Sequence, residues 1–327
     1  MISKGNLICA EKTHRLGDTR QLNTYKRYER KFVMIVITTP TGDIGHRVLQ
    51  HVFRGSEPVR VIARDPSRIP QEIRQRVEVI QGSHGDAASI EKALTGADAL
   101  FWLIPPEPLM TLNSVDEAYV DFTKPAAEAI RKYGVKRVVA VSALGRGWNK
   151  AAGLSTANIK ADDLLASTGV ALRVLAMPSF MDNLLRQAQT IKEKGMFSSP
   201  IHADLKAPTV ATSDIAAVAA KFLMDTTWTG QAEVPVLGPE DISPNEMAEI
   251  LSDVLGKPVR FQQTPIEAYK SRMTGRGISE AFAKGLADMM TAKNEGIDNT
   301  ASRAAAADTP TTFREWSEAV LKPAVVG

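Results

Sequence analysis

The sequence contains very little cysteine. Cys9 is the single cysteine among 327 residues, and one thiol cannot form an internal disulfide. A disulfide-stapled secreted domain and a cysteine-rich zinc site both need several cysteines. The scarcity excludes these two classes and is compatible with a reducing compartment, so we expect a cytoplasmic protein.

Long hydrophobic runs and metal-ligand spacings are missing as well. The longest apolar runs, such as 99–104, have the length of a strand, whereas a membrane helix needs about 20 apolar residues. The five histidines show no His-Glu-x-x-His spacing, and no Gly-x-Ser-x-Gly sequence is present. We therefore expect no membrane span, no metal site and no hydrolase-type nucleophile.

Excess positive charge is confined to the first 33 residues. The formal net charge is +3, but residues 1–33 hold eight basic and three acidic side chains, which leaves a net charge of −2 in the remainder. The remainder has no broad positive field, so we expect no nucleic acid partner. Residues 1–33 also lack apolar periodicity, which predicts a disordered basic extension, with a targeting segment or an anionic-surface arm as the alternative. Met34 is then a candidate natural start.

From residue 34 onward, short β-branched runs alternate with longer amphipathic segments. Most runs are continuously apolar, as is typical of parallel strands covered by helices on both faces. The segment Ser243–Glu246 predicts a capped helix start. The pattern predicts an α/β fold, with a doubly wound parallel sheet of the Rossmann type over 34–240 and a smaller, mostly helical cap over 241–327. The strands are predicted at 33–38, 59–63, 77–80, 99–104, 137–142, 171–176 and 233–237.

The segment between the first predicted strand and the first amphipathic helix contains two glycines. It reads Thr38-Thr39-Pro40-Thr41-Gly42-Asp43-Ile44-Gly45. Such a turn lets a pyrophosphate approach unpaired backbone N–H groups at the positive end of the helix dipole. Gly42 and Gly45 carry this prediction. Thr39 stands in the place of a first glycine, so the motif is incomplete and a purely structural turn is the alternative.

The end of the second predicted strand bears on which dinucleotide is bound. In NAD-binding proteins an acidic residue about 20 positions beyond the loop binds the ribose 2′-hydroxyl. Here the strand ends in Arg64, whose planar guanidinium suits the 2′-phosphate of NADP. Asp65 follows directly and keeps NAD open, and a solvated surface arginine is the alternative. We expect NADP(H) as the cofactor, with NAD(H) as the second choice.

These residues and their spacing resemble the NmrA-like branch of the atypical short-chain dehydrogenase/reductase superfamily. The resemblance runs from about residue 34 to 321 and includes the segments 59–66, 93–101, 104–106, 134–139, 177–183 and 313–316. It implies a Rossmann fold that binds NAD(P). The family includes quinone and azo reductases as well as redox-sensing regulators that bind dinucleotide without turnover. With Thr39 added from the loop, the implied cofactor contacts are Thr39, Thr41, Gly42, Asp43, Ile44, Gly45, Arg64, Ile104, Pro105, Ser142, Lys160 and Pro178.

The catalytic residues of standard short-chain dehydrogenases are only partly present. Those enzymes use Tyr-x-x-x-Lys, in which the lysine lowers the pKa of the tyrosine. The corresponding window begins at Thr156 and ends at Lys160, and a threonine hydroxyl is too weak an acid to replace the phenol. We expect Lys160 to anchor the nicotinamide ribose or to protonate through water, and Ser142 to hydrogen-bond a substrate oxygen. The alternatives are a solvated helix lysine and an ordinary strand-end serine.

Two functions agree with these residues. The first is an NADPH-preferring oxidoreductase that passes hydride to a quinone or another small electron-poor acceptor, because such a reduction depends on positioning more than on a dedicated acid. Its pocket is expected at the carboxyl ends of the strands, bounded by Pro105, Phe180 and Asn183. The second is a non-catalytic NADP(H) sensor that binds a protein partner. No oligomeric state follows from the sequence.

Overall fold

A computed structural model describes residues 33–105 and 109–327 of the chain. The predicted basic extension, except for Val33, lies outside the described residues. The strands are β1 Ile35–Ile37, β2 Val59–Ala63, β3 Glu78–Gln81, β4 Ala99–Trp102, β5 Arg137–Ala143, β6 Ala171–Met177, β7 Ser179–Phe180, β8 Met196–Ser199, β9 Ala207–Val210, β10 Gln231–Pro235, β11 Asp241–Ile242 and β12 Arg260–Gln263. The α-helices are α1 Asp43–Phe53, α2 Gln71–Arg74, α3 Ala87–Leu94, α4 Phe122–Tyr133, α5 Leu154–Ala166, α6 Ala188–Lys194, α7 Thr212–Met224, α8 Pro244–Leu255, α9 Ile266–Thr274, α10 Glu280–Asn294, α11 Phe313–Trp316 and α12 Lys322–Val326.

The central sheet contains seven of these strands in the order β10-β6-β5-β4-β1-β2-β3. All of its strand pairs are parallel. Each strand overlaps one of the predicted runs, and the parallel sheet confirms the doubly wound α/β fold. The strand order reverses between β1 and β4. In an open parallel sheet such a reversal leaves a crevice at the carboxyl ends of the two strands.

Helices cover both faces of the sheet because its strands are apolar on both sides. One face packs against α3, α4 and α5 around buried side chains such as Trp102 and Ile130. The other packs against α1 and α7 around Ile35, Val48 and Ile215. Burial of one such aliphatic side chain contributes about 1.5–3 kcal/mol. The two apolar layers hold the carboxyl edge of the sheet in a fixed arrangement.

The C-terminal region is largely helical, as predicted, and also carries short strands. The capping box at Ser243 is present: its side chain accepts from the Glu246 N–H, and the Glu246 carboxylate accepts from the Ser243 N–H. Strand β12 pairs in parallel with β8, and β11 pairs with β9. A third apolar cluster contains Met181 and Phe197, which precede position 240, and Leu251 and Trp316, which follow it. The domain boundary at 240 stays a prediction.

No helix among the described residues is long and apolar enough to span a bilayer.

Candidate functional site

The crevice between β1 and β4 is held together by one threonine. The Thr38 hydroxyl donates to the Phe101 carbonyl at 3.0 Å and accepts from the Leu103 N–H at 3.1 Å. Thr38 is fully buried, and its bond to the Phe101 carbonyl lies out of water. The two bonds tie the turn after β1 to the segment after β4, where Ile104 and Pro105 lie. Thr38 was not predicted as a site residue.

The start of α1 leaves backbone donors free for an anion. Gly42 is the N-cap residue and contributes no side-chain hydrogen bond. The first N–H groups of any α-helix lack partners within the helix, and the helix dipole favours negative charge at that end. Asp43, Ile44 and Gly45 supply these groups here. The arrangement suits a pyrophosphate.

The fold requires a glycine at one of the two glycine positions of this turn but not at the other. A Cβ on Gly45 would lie 2.1 Å from the Thr39 carbonyl oxygen, so only glycine fits there. A Cβ on Gly42 would meet that oxygen at an ordinary 3.6 Å, and the Gly42 φ of −91° suits any residue. The fold therefore explains Gly45 but not Gly42. A bare backbone at exposed Gly42 is what the close approach of a phosphate requires, so this turn fits the diphosphate of a dinucleotide.

Thr39 adopts a left-handed backbone conformation that glycine accommodates more readily than threonine. Its φ is +50°, and it is the only non-glycine residue with a positive φ among the described residues. A β-branched side chain is strained in this region of backbone space. The Thr39 hydroxyl oxygen is buried and has no hydrogen-bond partner in the described part of the chain. The sequence departs from the glycine motif at a position where the backbone favours glycine.

Arg64 and Asp65 follow β2 and differ in their contacts. The Asp65 carboxylate accepts from the Ser67 N–H at 3.0 Å and from the Ser67 hydroxyl at 2.6 Å. These hydrogen bonds lower the pKa of Asp65 and commit it to capping the 3₁₀ turn Pro66–Arg68. The Arg64 side chain is exposed and makes no ion pair with the residues that the structure describes. Its guanidinium is therefore available to a phosphate group.

His84, which the sequence did not single out, anchors the segment after β4. Its Nε2 lies 2.9 Å from the Leu103 carbonyl oxygen. The ring packs edge-on against Trp102 and Phe122. Burial lowers the pKa of His84 to about 4, although the bond to Leu103 opposes this, and the charge of Arg64 adds to the lowering. His84 is thus neutral at pH 7, with Nε2–H as donor. No sequence signal distinguished it from the other four histidines.

Ser142 lies near the carboxyl end of β5 in contact with a buried acid. Its Oγ is 2.5 Å from Oδ2 of Asp162 on α5, and both residues are about 5% exposed or less. Burial raises the pKa of Asp162 to about 8, against the lowering effects of the Ser142 hydrogen bond and of Arg146. The carboxyl is therefore mostly protonated at pH 7. An acidic residue within an apolar helix face was the available signal for Asp162.

The Thr156 and Lys160 side chains face other partners. The Thr156 hydroxyl accepts from the Ala152 N–H at 3.0 Å, which ties the residue before the N-cap to the first turn of α5. The Lys160 ammonium donates to the Asp116 carboxylate at 2.7 Å, and both side chains are more than half exposed. No contact links Lys160 to Ser142 among the described residues. A role for Lys160 at the cofactor stays a prediction.

Most of the other predicted residues lie at one edge of the sheet. The loop Thr39–Gly45 follows β1, Arg64 follows β2, Pro105 follows β4 and Pro178 follows β6, all at carboxyl ends. Phe180 is half-buried in β7, and Asn183 is exposed in the 3₁₀ turn that follows.

The Asp182 carboxylate holds that turn against α7. It accepts from the Thr212 N–H at 3.0 Å and from the Thr212 hydroxyl at 2.7 Å. The side chains expected to bound the acceptor pocket therefore project from an anchored segment.

The strand-order reversal and the glycine-bearing helix start define a Rossmann-type dinucleotide-binding protein. A sequence model of the NmrA-like family matches residues 32–318. The chain belongs to this family, as the resemblance implied.

The relatives of this chain include reductases from bacteria. It is 29% identical over 290 residues to the (4-alkanoyl-5-oxo-2,5-dihydrofuran-3-yl)methyl phosphate reductase of Streptomyces griseus, a match that covers 87% of this chain and 96% of the relative. It is 28% identical over 256 residues to the NAD(P)H azoreductase of Xenophilus azovorans, covering 78% and 86%. The structure of an Escherichia coli NADPH-dependent quinone oxidoreductase complexed with NADPH is similar at a TM-score of 0.71 and 24% identity, covering 86% of this chain and 98% of that one. The comparisons confirm the predicted class, the NAD(P)H-dependent oxidoreductases.

Proposed function

We propose that this chain is an oxidoreductase that prefers NADPH and reduces a quinone-like or other electron-poor acceptor. The observation that carries the proposal is the pairing of two anion-binding features at one sheet edge. The uncapped start of α1 at Gly42 suits a diphosphate, and the unpaired Arg64 at the end of β2 suits a 2′-phosphate. NADPH contains both groups. Asp65, the residue that would favour NADH, is committed to Ser67.

The choice of an electron-poor acceptor follows from the presence of Thr156 in the place of a catalytic tyrosine. When bound, the reduced nicotinamide supplies hydride. The Thr156 hydroxyl is bonded by the Ala152 N–H, and a threonine cannot act as a phenolic acid. A quinone has an electron-poor carbonyl whose reduced oxygen is a weak base, so it needs orientation more than strong acid catalysis. We assign orientation to Pro105, Phe180 and Asn183, and assign hydrogen bonding of the acceptor oxygen to Ser142.

The experiment is a steady-state assay of the full-length protein. Oxidation of NADPH is followed against a panel of quinones, with NADH in parallel. Loss of a charged hydrogen-bonding group from a phosphate site removes about 1.5–3 kcal/mol, which is about 10- to 100-fold in affinity. Arg64→Glu is therefore expected to raise the KM for NADPH by about that factor and to leave the KM for NADH nearly unchanged.

The matched control is Arg54→Glu, which makes the same charge change on an exposed residue at the opposite end of α1. It should leave both KM values unchanged. Equal loss for NADPH and NADH in Arg64→Glu would contradict the assignment of Arg64 to the 2′-phosphate.

The sensor is the second candidate, and it is favoured by the hydrogen bonds of Thr156 with Ala152 and of Lys160 with Asp116. It predicts that NADPH binds, as measured by calorimetry, while no acceptor in the panel is turned over. A protein partner would then be sought by comparing partners captured with and without NADPH.

A further inference from the structure

The carboxyl of Asp162 is buried against Ser142 beside the crevice, and Asp162 is not among the cofactor contacts that the resemblance implies. We propose that Asp162 stores a proton and delivers it through the Ser142 hydroxyl to the oxygen of the reduced acceptor. The inference rests on the proposed reductase function and deepens it. Ser142 is the group that contacts the acceptor, and Asp162 acts through it as a positioning and proton-storing residue.

The strand register places Ser142 at the edge of the crevice. Ala140 pairs with Trp102, the last residue of β4, so Ser142 lies two residues beyond the end of that strand. It is therefore beside the segment of Ile104 and Pro105. Alternation along β5 directs Ser142 to the same face as Val138 and Ala140, the face covered by α5. Asp162 meets it from that helix.

The surroundings of Asp162 favour its protonated carboxyl, and they also include one cation, Arg146. Glu233 on β10 and Asp163 on α5 raise the pKa of Asp162 in addition to its burial, whereas Arg146, which follows β5, lowers it. Arg146 binds both of these acids, at 3.0 Å and 2.7 Å. The carboxylate that remains after proton release therefore forms near a guanidinium that limits its instability.

Titratable groups on the other elements that pack against α5 contact different parts of the helix. Asp116 binds Lys160, and the Tyr119 hydroxyl is bonded by the Asn158 side chain. Arg131 of α4 donates to Ser167 just beyond the end of α5. Helix α10 meets the start of α5, where Gly285 touches Leu154. The charged groups that act on Asp162 near the crevice are therefore Arg146, Asp163 and Glu233.

The proton path needs one reorientation. In the structure the Ser142 hydroxyl donates to the Asp162 carboxyl. A hydroxyl hydrogen rotates freely and the same oxygen also accepts, so with an acceptor in place Ser142 can donate to it while accepting from protonated Asp162.

The acceptor would take up hydride, that is two electrons and one hydrogen, from bound NADPH at a carbon of its conjugated system, which would oxidise NADPH and place the negative charge on the carbonyl oxygen of the acceptor. Its oxygen then gains the Ser142 proton as an O–H bond forms and the serine O–H bond breaks. Ser142 regains a proton from Asp162, and the Asp162 carboxylate then takes up from bulk solvent the one proton that the overall reduction consumes.

Two measurements on the full-length protein test the pair. Asp162→Asn keeps the shape of the acid and still accepts from Ser142 but holds no acidic proton. With wild type, kcat/KM for the quinone is expected to be constant below about pH 8 and to fall above it, because the protonated acid is the active form. Asp162→Asn should lower kcat/KM at pH 7 by about a hundredfold and abolish the fall above pH 8. A carbon-13 NMR titration of the aspartate carboxyls, without cofactor, should show a resonance that titrates near pH 8 in wild type and is missing from Asp162→Asn.

Asp163→Asn is the control, since Asp163 is exposed and paired with Arg146. It should retain the alkaline fall, moved to slightly lower pH. The inference is overturned if Asp162→Asn turns over the acceptor and keeps the fall in kcat/KM above pH 8. It is also overturned if the Asp162 resonance titrates in the range of an ordinary aspartate. Neither result would affect the proposed reductase function. Absence of wild-type turnover with every acceptor overturns the proposed function, and with it the role of the proton.

Discussion

The raised pKa of Asp162 predicts an unusual dependence of stability on pH. An ordinary aspartate has a pKa of 3.8, and burial in the folded protein raises that of Asp162 to about 8. The folded form therefore binds this proton more tightly than the unfolded chain does. Below pH 3.8 both forms are protonated and the group has no effect. As pH rises from 3.8 to 8 the unfolded chain is stabilised by ionisation and the fold loses stability, until the loss levels off above pH 8.

The magnitude follows from the size of the shift. One pKa unit corresponds to about 1.4 kcal/mol, so a shift of about four units corresponds to a loss of about 6 kcal/mol across this range. At pH 7 the loss is about 4 kcal/mol. The Asp162→Asn variant has no carboxyl to ionise at this position, so it does not undergo this loss of stability. The difference in free energy of unfolding between Asp162→Asn and wild type should therefore grow by about 1.4 kcal/mol per pH unit between pH 4 and 8.

The assay is urea unfolding of both proteins at several pH values, followed by tryptophan fluorescence. Titrations common to the two proteins cancel in the difference, which leaves the contribution of Asp162. Asp163→Asn is the matched control, because its side chain is 59% exposed and surface ion pairs contribute little. A difference that stays constant from pH 4 to 8, or that shrinks, would refute the argument that burial dominates the Asp162 environment.

Two glycine predictions concern the turn before α1. Gly42→Ala should weaken NADPH binding at least tenfold, as measured by calorimetry, and should change the free energy of unfolding by no more than about 1 kcal/mol. The control is Gly275→Ala, at another helix end with φ −62°, which should leave NADPH binding unchanged. Retained affinity for NADPH in Gly42→Ala would show that no phosphate approaches Gly42. Thr39→Gly should raise the free energy of unfolding by about 1 kcal/mol in urea, because relief of a strained φ outweighs the greater freedom of glycine in the unfolded chain. A destabilised Thr39→Gly protein would mean that the Thr39 side chain contributes more than its backbone strain removes.

Local patterns were sufficient to predict the central sheet. Each of its seven strands is a short apolar run between turn residues, and β2 occupies Val59–Ala63, the predicted range. The helix start at Ser243 was equally readable because a capping box is formed within four residues. Helix α7 was missed. Its buried residues occupy most of its circumference, from Ile215 to Leu223, so the sequence has no polar stripe to mark a helix.

The strands outside the central sheet were not predictable for a different reason. β8 and β12 pair across more than sixty residues of chain, and the Arg-Phe-Gln-Gln sequence of β12 has little strand character of its own. Such a strand forms because tertiary folding brings its partner alongside, since strand preference depends strongly on context.

The sequence by itself determined which residues reach the carboxyl edge of the sheet. Once the strands are parallel, the residues that follow them, including Gly42, Arg64 and Pro105, must lie along one edge. Tertiary structure alone decided how individual side chains are paired there. Asp65 caps its own turn, Lys160 binds Asp116, and Asp162 is buried against Ser142. Burial and long-range contacts set protonation and availability, and neither can be read from the spacing of residues along the chain.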